Sequence, residues 1–340
     1  MEKRVAVIGA GSWGTVLANV LAENGHQVHL WARRKELVTE INEHRSNQKY
    51  LPDVTIHSNI QASSSLREVV QDKPMVLFVV PSHSMREVAL QVEPYLKHEA
   101  LVVHATKGFE VDTWKRISEV LAEELPRHAE RIVALSGPSH AEEVINRCPT
   151  TVVVASEHRF AAERAQNYFM NQYFRVYTNS DLVGVEVGGA LKNIIALAAG
   201  LADGLQFGDN AKAALMTRGL AEIARLGFAM GAQHSTFVGL AGVGDLVVTC
   251  TSKHSRNWRA GNMISQGIPL DQVLEKMGMV VEGVRTTQAA YALAARYEVE
   301  MPITEQLYAV LFSNKEPAQA VLDLMNRDRT RELGEIAQGW

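Results

Sequence analysis

A chain of 340 residues is long enough for two domains, each burying a core of its own. Its formal net charge of −4 offers no global basic face to nucleic acid, so any anion site must be local. Two cysteines, Cys148 and Cys250, are too few for a disulfide framework or a zinc site and point to a reducing compartment.

Val5-Ala6-Val7-Ile8 is too short, and too soon cut by glycine, for a secretory signal. It reads as a strand buried on both faces of a parallel sheet, and the expected location is the cytoplasm. Gly9-Ala10-Gly11-Ser12-Trp13-Gly14 follows at once, then a helical pattern over 15–24 and a second strand over 27–32. A lone GxGxxG is a weak signal, but this one has strand, helix and second strand at the spacing of one βαβ unit. Gly9 permits the tight turn, Gly11 lets a pyrophosphate reach the backbone, and Gly14 lets helix and strand pack closely. The helix N-terminus then offers N–H groups and partial positive charge to the phosphates.

The end of the second strand bears on which dinucleotide binds. Where an NAD site carries Asp or Glu, this chain has His29, Leu30, Trp31 and Ala32, then Arg33 and Arg34. No carboxylate repels a 2′-phosphate, and two guanidiniums can fork onto it. The alternative is a solvated loop. The first reading predicts NADP as the preferred cofactor, with NAD tolerated.

Further strands are predicted over 75–80, 101–105 and 131–135, with edge strands over 151–155 and 174–177 and a helix over 84–96. Ligands of open α/β sheets sit outside the carboxyl ends of the strands. That rule brings Lys107 and the Gly137–Ser139 turn to the rim of the glycine-rich loop. Pro138 suits the first turn of a helix whose N–H groups are free. His140-Ala141-Glu142 matches the HxE half of a zinc deaminase signature, but the PCxxC half is missing and that reading is rejected. No metal is expected.

From Asn179-Ser180-Asp181 onward, β-branched runs give way to alanine- and leucine-rich helical patterns. This change divides the chain into an α/β Rossmann-type doubly wound domain, 1–180, and an all-α domain, 181–340. Helices are predicted over 182–202, 210–230, 257–266, 270–277, 283–296 and 302–312. The first is apolar except for Glu186 and Lys192. On a helix Lys192 shares a face with Val185, Gly188, Ile195, Ala196 and Ala199, so it must snorkel, pair or act chemically. Gly188 and Gly189 are expected to leave room beside it for a ligand. The run is about long enough to cross a membrane, but its two charges, the flanking Asp181 and Asp203 and the lack of a second such segment argue against that.

Leu240-Ala241-Gly242-Val243-Gly244-Asp245-Leu246 sets a carboxylate in an apolar segment, as a helix cap or as a working group. Ser255, Arg256 and Asn257 at a helix start form either a small-anion cradle or a surface connection. Glu282, in Val280-Val281-Glu282-Gly283-Val284, reads as an acidic first-turn residue.

These segments occur in one order: GAGSWG at 9–14, VPSH at 80–83, ATKG at 105–108, SGPSHAEEV at 136–144, EVGGALKNIIALAAG at 186–200, AGVGDL at 241–246, SRN at 255–257 and VVEGV at 280–284. The set resembles the bacterial NAD(P)-dependent glycerol-3-phosphate dehydrogenases over nearly the whole chain. The resemblance implies interconversion of dihydroxyacetone phosphate and sn-glycerol 3-phosphate for glycerophospholipid synthesis. It makes Lys192 the proton acceptor in the oxidative direction. Ser12, Trp13, Arg33, Arg34, Tyr50, Ala141, Val280 and Glu282 would contact the dinucleotide, Tyr50 on a short local motif only. Gly137, Ser139, Asp245, Ser255 and Asn257 would contact the substrate, and Lys107 and Arg256 both ligands. Apolar neighbours and Lys107 are expected to lower the Lys192 pKa, with Asp245 or Asn193 orienting its ammonium. The implied partner is a phosphorylated triose, with no nucleic acid and no integral membrane segment; a homodimer is left open. Two rivals stand beside this reading: another hydroxyacid-type dehydrogenase on the same scaffold, and a non-catalytic NADP sensor.

Overall fold

The structure, a computed structural model, describes residues 4–328; the remainder of the expected second domain, 329–340, lies outside the described residues. The first stretch alternates strand and helix: β1 (Arg4–Ile8), α1 (Ser12–Glu23), β2 (Gln27–Trp31), α2 (Lys35–Thr39), β3 (Ile60–Ser63), α3 (Leu66–Val70), β4 (Met75–Phe78) and α4 (Met85–Val92). It continues through β5 (Leu101–His104), α5 (Ile117–Glu124), β6 (Ile132–Ser136), α6 (Ala141–Ile145), β7 (Thr150–Ala155), α7 (Arg159–Phe169) and β8 (Phe174–Asn179). The strands form one sheet in the order β3-β2-β1-β4-β5-β6-β7-β8. Every pair is parallel except β6–β7. The order turns back at β1, which lies between β2 and β4, and such a switch point opens a crevice beyond the strand ends.

The central strands are apolar throughout because both faces are covered. Val5, Val7, Leu77 and Val103 pack with Leu17 and Leu21 of α1 and Phe169 of α7. On the other face Ala6, Ile8, Phe78 and Val102 pack with Val69 of α3, Val88 of α4 and Leu121 of α5. β3 is absent from the sequence reading for a physical reason. Its residues, Ile-Gln-Ala-Ser, alternate buried and outward-facing at the sheet edge, so it shows no apolar run. The helix expected over 84–96 ends at Val92, where a 3₁₀ turn containing Pro94 takes over. Pro138 does not open a helix either: α6 begins at Ala141 with His140 as its N-cap.

The remaining helices are α8 (Leu182–Gly204), α9 (Gly208–Ala229), α10 (His234–Phe237), α11 (Asp245–Thr251), α12 (Arg256–Ser265), α13 (Leu270–Met277), α14 (Glu282–Tyr297), α15 (Pro302–Phe312) and α16 (Pro317–Met325). The reading missed α10, α11 and α16. Before α11 the chain makes a wide helical turn, Leu240–Gly244, kinked at Gly242, and its glycines make the segment look like loop. The chain falls into two compact units. One gathers the chain up to Thr106 together with Lys115–Leu182, and the other gathers Lys107–Trp114 and the chain from Val183 onward. Phe109 and Trp114 of the short segment belong to the apolar core of the helical unit, which is built on Leu191, Ile194, Ile195 and Leu197 of α8. Among the described residues α8 alone is long and apolar enough by itself to cross a membrane, and 83% of its apolar window is buried inside the protein, as in a core helix.

Candidate active site

In the first unit, the turn after β1 has the geometry that its glycines predict. Gly9 has φ +115°, and a Cβ there would strike the Val79 carbonyl. A Cβ on Gly14 would strike the Gly9 carbonyl, so α1 lies hard against the turn. A Cβ on Gly11 would meet nothing within 4 Å, which leaves that side of the loop open. No side chain caps α1, and the first N–H to close a helical bond is that of Thr15, onto the Gly11 carbonyl at 2.9 Å. The N–H groups of the preceding turn are therefore available to an anion. The Trp13 indole Nε1 is buried with no hydrogen-bond partner among the described residues. An open loop, an uncapped helix and an orphaned donor fit a dinucleotide pyrophosphate.

Two contacts hold this loop. Ser12 Oγ donates to the Tyr50 carbonyl at 2.9 Å, which brings Tyr50 to the glycine-rich turn across 38 residues. Asn47, fully buried, donates through Nδ2 to the Ala10 carbonyl at 3.0 Å and to Thr15 Oγ1 at 2.9 Å. Sequence reasoning missed Asn47, since no local pattern marks a residue that acts 37 positions away. Arg33 and Arg34 stand exposed just past the end of β2, and neither forms a salt bridge among the described residues. Gly137 follows β6 with φ +123°; Ser139 Oγ donates to its carbonyl at 2.9 Å, and Ala141 opens α6.

In the helical unit Lys192 does not snorkel. Its side chain is 7% exposed, and the ammonium pairs with Asp245 Oδ1 and donates to Thr249 Oγ1 at 2.7 Å. The other Asp245 oxygen accepts from Lys107 Nζ at 2.7 Å. One buried carboxylate thus bridges two cations brought from 138 and 53 residues away. Thr249, four residues after Asp245 on α11, was not singled out by the sequence; its hydroxyl donates to the Asp245 carbonyl at 2.6 Å while accepting from Lys192.

Electrostatics follow from this packing. Burial pushes the Lys192 pKa down to about 8, and Lys107 adds to the fall while Asp245 opposes it. Burial would raise the Asp245 carboxyl, but Lys107 and Lys192 outweigh burial and hold it below the ordinary carboxylate value. The expected role of Gly188 needs correction. A Cβ there would come within 2.6 Å of the Ala241 carbonyl, so the glycine admits the chain leading into α11 rather than a ligand. That close approach sets Asp245 against Lys192.

Beside this cluster lies a buried amide tie. Asn257 Nδ2 donates to Asn193 Oδ1 at 2.8 Å, and the Gly283 N–H donates to Asn257 Oδ1 at 2.9 Å. Asn193 therefore does not orient the lysine, and the Asn257 side chain joins α8 to the start of α14. Ser255 is the N-cap of α12, accepting from the Trp258 N–H at 3.2 Å, and Arg256 donates to the Val280 carbonyl at 3.2 Å. Lys192, Arg256 and Glu282 each directly precede one member of the tie. The expected cradle residues are brought together at the start of α12, with the hydroxyl of Ser255 and the amide of Asn257 already engaged by the protein.

A doubly wound sheet with an open glycine turn, joined to helices that bury a lysine of lowered pKa, describes a dehydrogenase that uses a dinucleotide. The family model for the NAD-dependent glycerol-3-phosphate dehydrogenase N-terminus matches residues 4–162, and that for the C-terminus matches 181–322. The glycerol-3-phosphate dehydrogenase [NAD(P)+] of Bacillus cytotoxicus is 59% identical over 334 residues, covering 98% of both chains. That of Bacillus velezensis is 57% identical over 335 residues, covering 98% of this chain and 97% of the relative. The crystal structure of glycerol-3-phosphate dehydrogenase from Coxiella burnetii superposes with a TM-score of 0.91 at 38% identity, over 96% of this chain and 99% of that one. The chain belongs to the NAD-dependent glycerol-3-phosphate dehydrogenase family.

Proposed function

We propose that the chain is an NAD(P)-dependent oxidoreductase that interconverts dihydroxyacetone phosphate and sn-glycerol 3-phosphate, with Lys192 moving the proton. The observation that carries the role of Lys192 is its burial against Asp245 with a pKa lowered to about 8. An ordinary lysine is too basic to accept a hydroxyl proton near neutral pH, whereas a group poised near 8 can serve in both directions. When bound, the nicotinamide supplies hydride to C2 of the ketone or takes it back from the alcohol.

As the ketone is reduced its oxygen gains charge, and the Lys192 ammonium donates a hydrogen bond and then the proton to that oxygen. In the oxidative direction neutral Lys192 accepts the hydroxyl proton. Asp245 holds the ammonium in place and balances the second cation, Lys107. Arg256 and the start of α12 take the substrate phosphate, and that remote binding holds the carbonyl in register. NADPH is preferred, on the support of two exposed guanidiniums and no carboxylate after β2. The setting is the cytoplasm, supported by two free cysteines, and the product supplies glycerophospholipid synthesis.

The test is Lys192→Ala, assayed as NADPH oxidation with dihydroxyacetone phosphate beside its non-phosphorylated analogue. Turnover should fall by orders of magnitude while NADPH binding, followed by fluorescence, survives. Near-normal turnover would remove Lys192 from the reaction. Equal use of both ketones in the unaltered enzyme would remove the phosphate cradle.

A further inference from the structure

On the reading that the start of α12 holds the substrate phosphate, we propose that Trp258 and Asp203 are positioning residues that fix the distance from that site to Lys192. The role rests on that reading and adds two side chains that the mechanism does not use. The first turn of α12 carries Arg256, Asn257 and Trp258 behind the N-cap Ser255. Two adjacent members of this turn grip α8 at separate points. Asn257 Nδ2 donates to Asn193 Oδ1 at 2.8 Å, and the Trp258 indole Nε1 donates to Asp203 Oδ2 at 2.6 Å. Asn193 and Asp203 lie ten residues apart on α8, a span of about 15 Å at ~1.5 Å per residue. A turn held at both ends of so long a baseline can neither slide along α8 nor rotate about its own axis without breaking one hold.

The acceptor is itself held. The other Asp203 oxygen pairs with Lys212 of α9 at 2.6 Å, so a third helix fixes the carboxylate that receives the indole. The Trp258 N–H donates to Ser255 Oγ at 3.2 Å, so the residue that reaches α8 also fixes the N-cap of the cradle. Backbone contact removes the remaining slack. A Cβ on Gly200 would strike the Trp258 carbonyl, and one on Gly261 would strike the Leu197 carbonyl. A Cβ on Gly204 would strike Ser265 Oγ. At these points α8 and α12 meet with no intervening side chain that could yield. One pair of helices thus carries Lys192 on one member and the phosphate site at the start of the other. The span from the reacting carbonyl to the phosphate is set by how the two helices are held. A triose phosphate is too short to absorb a displaced cradle, and a misplacement of about 1 Å can cost roughly 100-fold in rate.

The test compares kcat and KM for dihydroxyacetone phosphate and for dihydroxyacetone, at saturating NADPH, in Trp258→Phe, which keeps an aromatic ring and deletes the indole N–H. Use of the phosphorylated ketone should fall by roughly 10–100-fold, more in kcat than in KM, because the phosphate still binds while the carbonyl is out of register. Use of dihydroxyacetone should stay within about twofold, since it makes no phosphate contact. If Trp258→Phe does not fold, the acceptor side decides: Asp203→Asn keeps an oxygen for the indole and should retain most of the preference for the phosphorylated ketone that Asp203→Leu loses. Equal losses on both ketones would make the pair structural only and overturn the positioning role. Arg256→Ala separates this role from the phosphate site. If that variant loses the preference while Trp258→Phe and Asp203→Leu keep it, the positioning role falls and the phosphate site stands. An unchanged preference in Arg256→Ala would remove the phosphate site and the positioning role with it.

Discussion

Replacing Asp245 by Asn removes a charge from the centre of the proton-transfer cluster without changing its shape. Asp245 is 1% exposed and spends both oxygens on cations, Lys107 at 2.7 Å and Lys192. Breaking a buried ion pair by deleting one partner costs roughly 3–5 kcal/mol, because the remaining charge stays buried. The cheapest relief is for Lys192, already poised near pKa 8, to give up its proton. At ~1.4 kcal/mol per unit, and with Lys107 bearing part of that cost, the pKa of Lys192 should fall by roughly two units or more. Near neutral pH the ammonium fraction would then drop from about nine tenths to between ~1% and ~10%. Reduction of dihydroxyacetone phosphate needs the ammonium, so kcat/KM there should fall by about 10–100-fold. The assay is kcat/KM for the ketone across pH at saturating NADPH. The unaltered enzyme should show a plateau that falls away above about 8. Asp245→Asn should begin its fall two or more units lower and recover toward the unaltered value in acid. A limb that stays near 8, or a loss of equal size at every pH, would refute the assignment of Asp245 as the group that sets the lysine's charge.

Other perturbations give distinct signatures. Lys107→Met removes the cation that lowers the Lys192 pKa, so the same limb should move to higher pH, opposite to Asp245→Asn; a shift in the same direction would contradict the electrostatic account. Arg33→Ala should reduce the preference for NADPH over NADH in kcat/KM by roughly tenfold or more, and an unchanged ratio would return Arg33 to the solvated loop. Asn257→Leu leaves the Gly283 N–H and Asn193 Oδ1 unpaired in the interior, at roughly 1–3 kcal/mol each. It should therefore lower the urea midpoint as well as raise KM for both ligands; a higher substrate KM at full stability would make Asn257 a ligand contact instead of a tie.

What the sequence disclosed and what it concealed divides by the range of the interactions. The turn Gly9–Gly14 was legible because its geometry is local, and the positive φ of Gly9 and the crowding at Gly14 are properties of six consecutive residues. β1, β4 and β5 were legible because burial on both faces leaves a continuous apolar run. β3 was not, since an edge strand with two inward residues has the composition of a loop. Asn47 was hidden because it acts on a turn 37 residues away. A helix start near Asp245 was one of two readings of the glycine-rich segment, and the length of α11 beyond it was not legible because those glycines serve close packing.

Lys192 shows why a single side chain's pattern does not settle its role. An isolated lysine in the apolar run 182–202 is compatible with a snorkelling stem or with a buried acid–base group, and nothing within the run separates the two. The difference lies in what faces it. Ala241 reaches α8 because Gly188 has no side chain, and the turn that follows delivers Asp245 four residues later. Lys107 comes from a segment that lies among the strands in sequence but packs with the helices through Phe109 and Trp114. Burial and Lys107 push the Lys192 pKa down while Asp245 holds it up, so the value near 8 is a balance that no one residue sets. The three groups therefore behave as a unit. The double variant Lys107→Met/Asp245→Asn should shift the pH limb less than Asp245→Asn does alone, since removing both neighbours cancels opposing charges and leaves burial as the remaining cause. A larger shift in the double variant would mean that burial and structure, rather than the charge pair, govern the lysine.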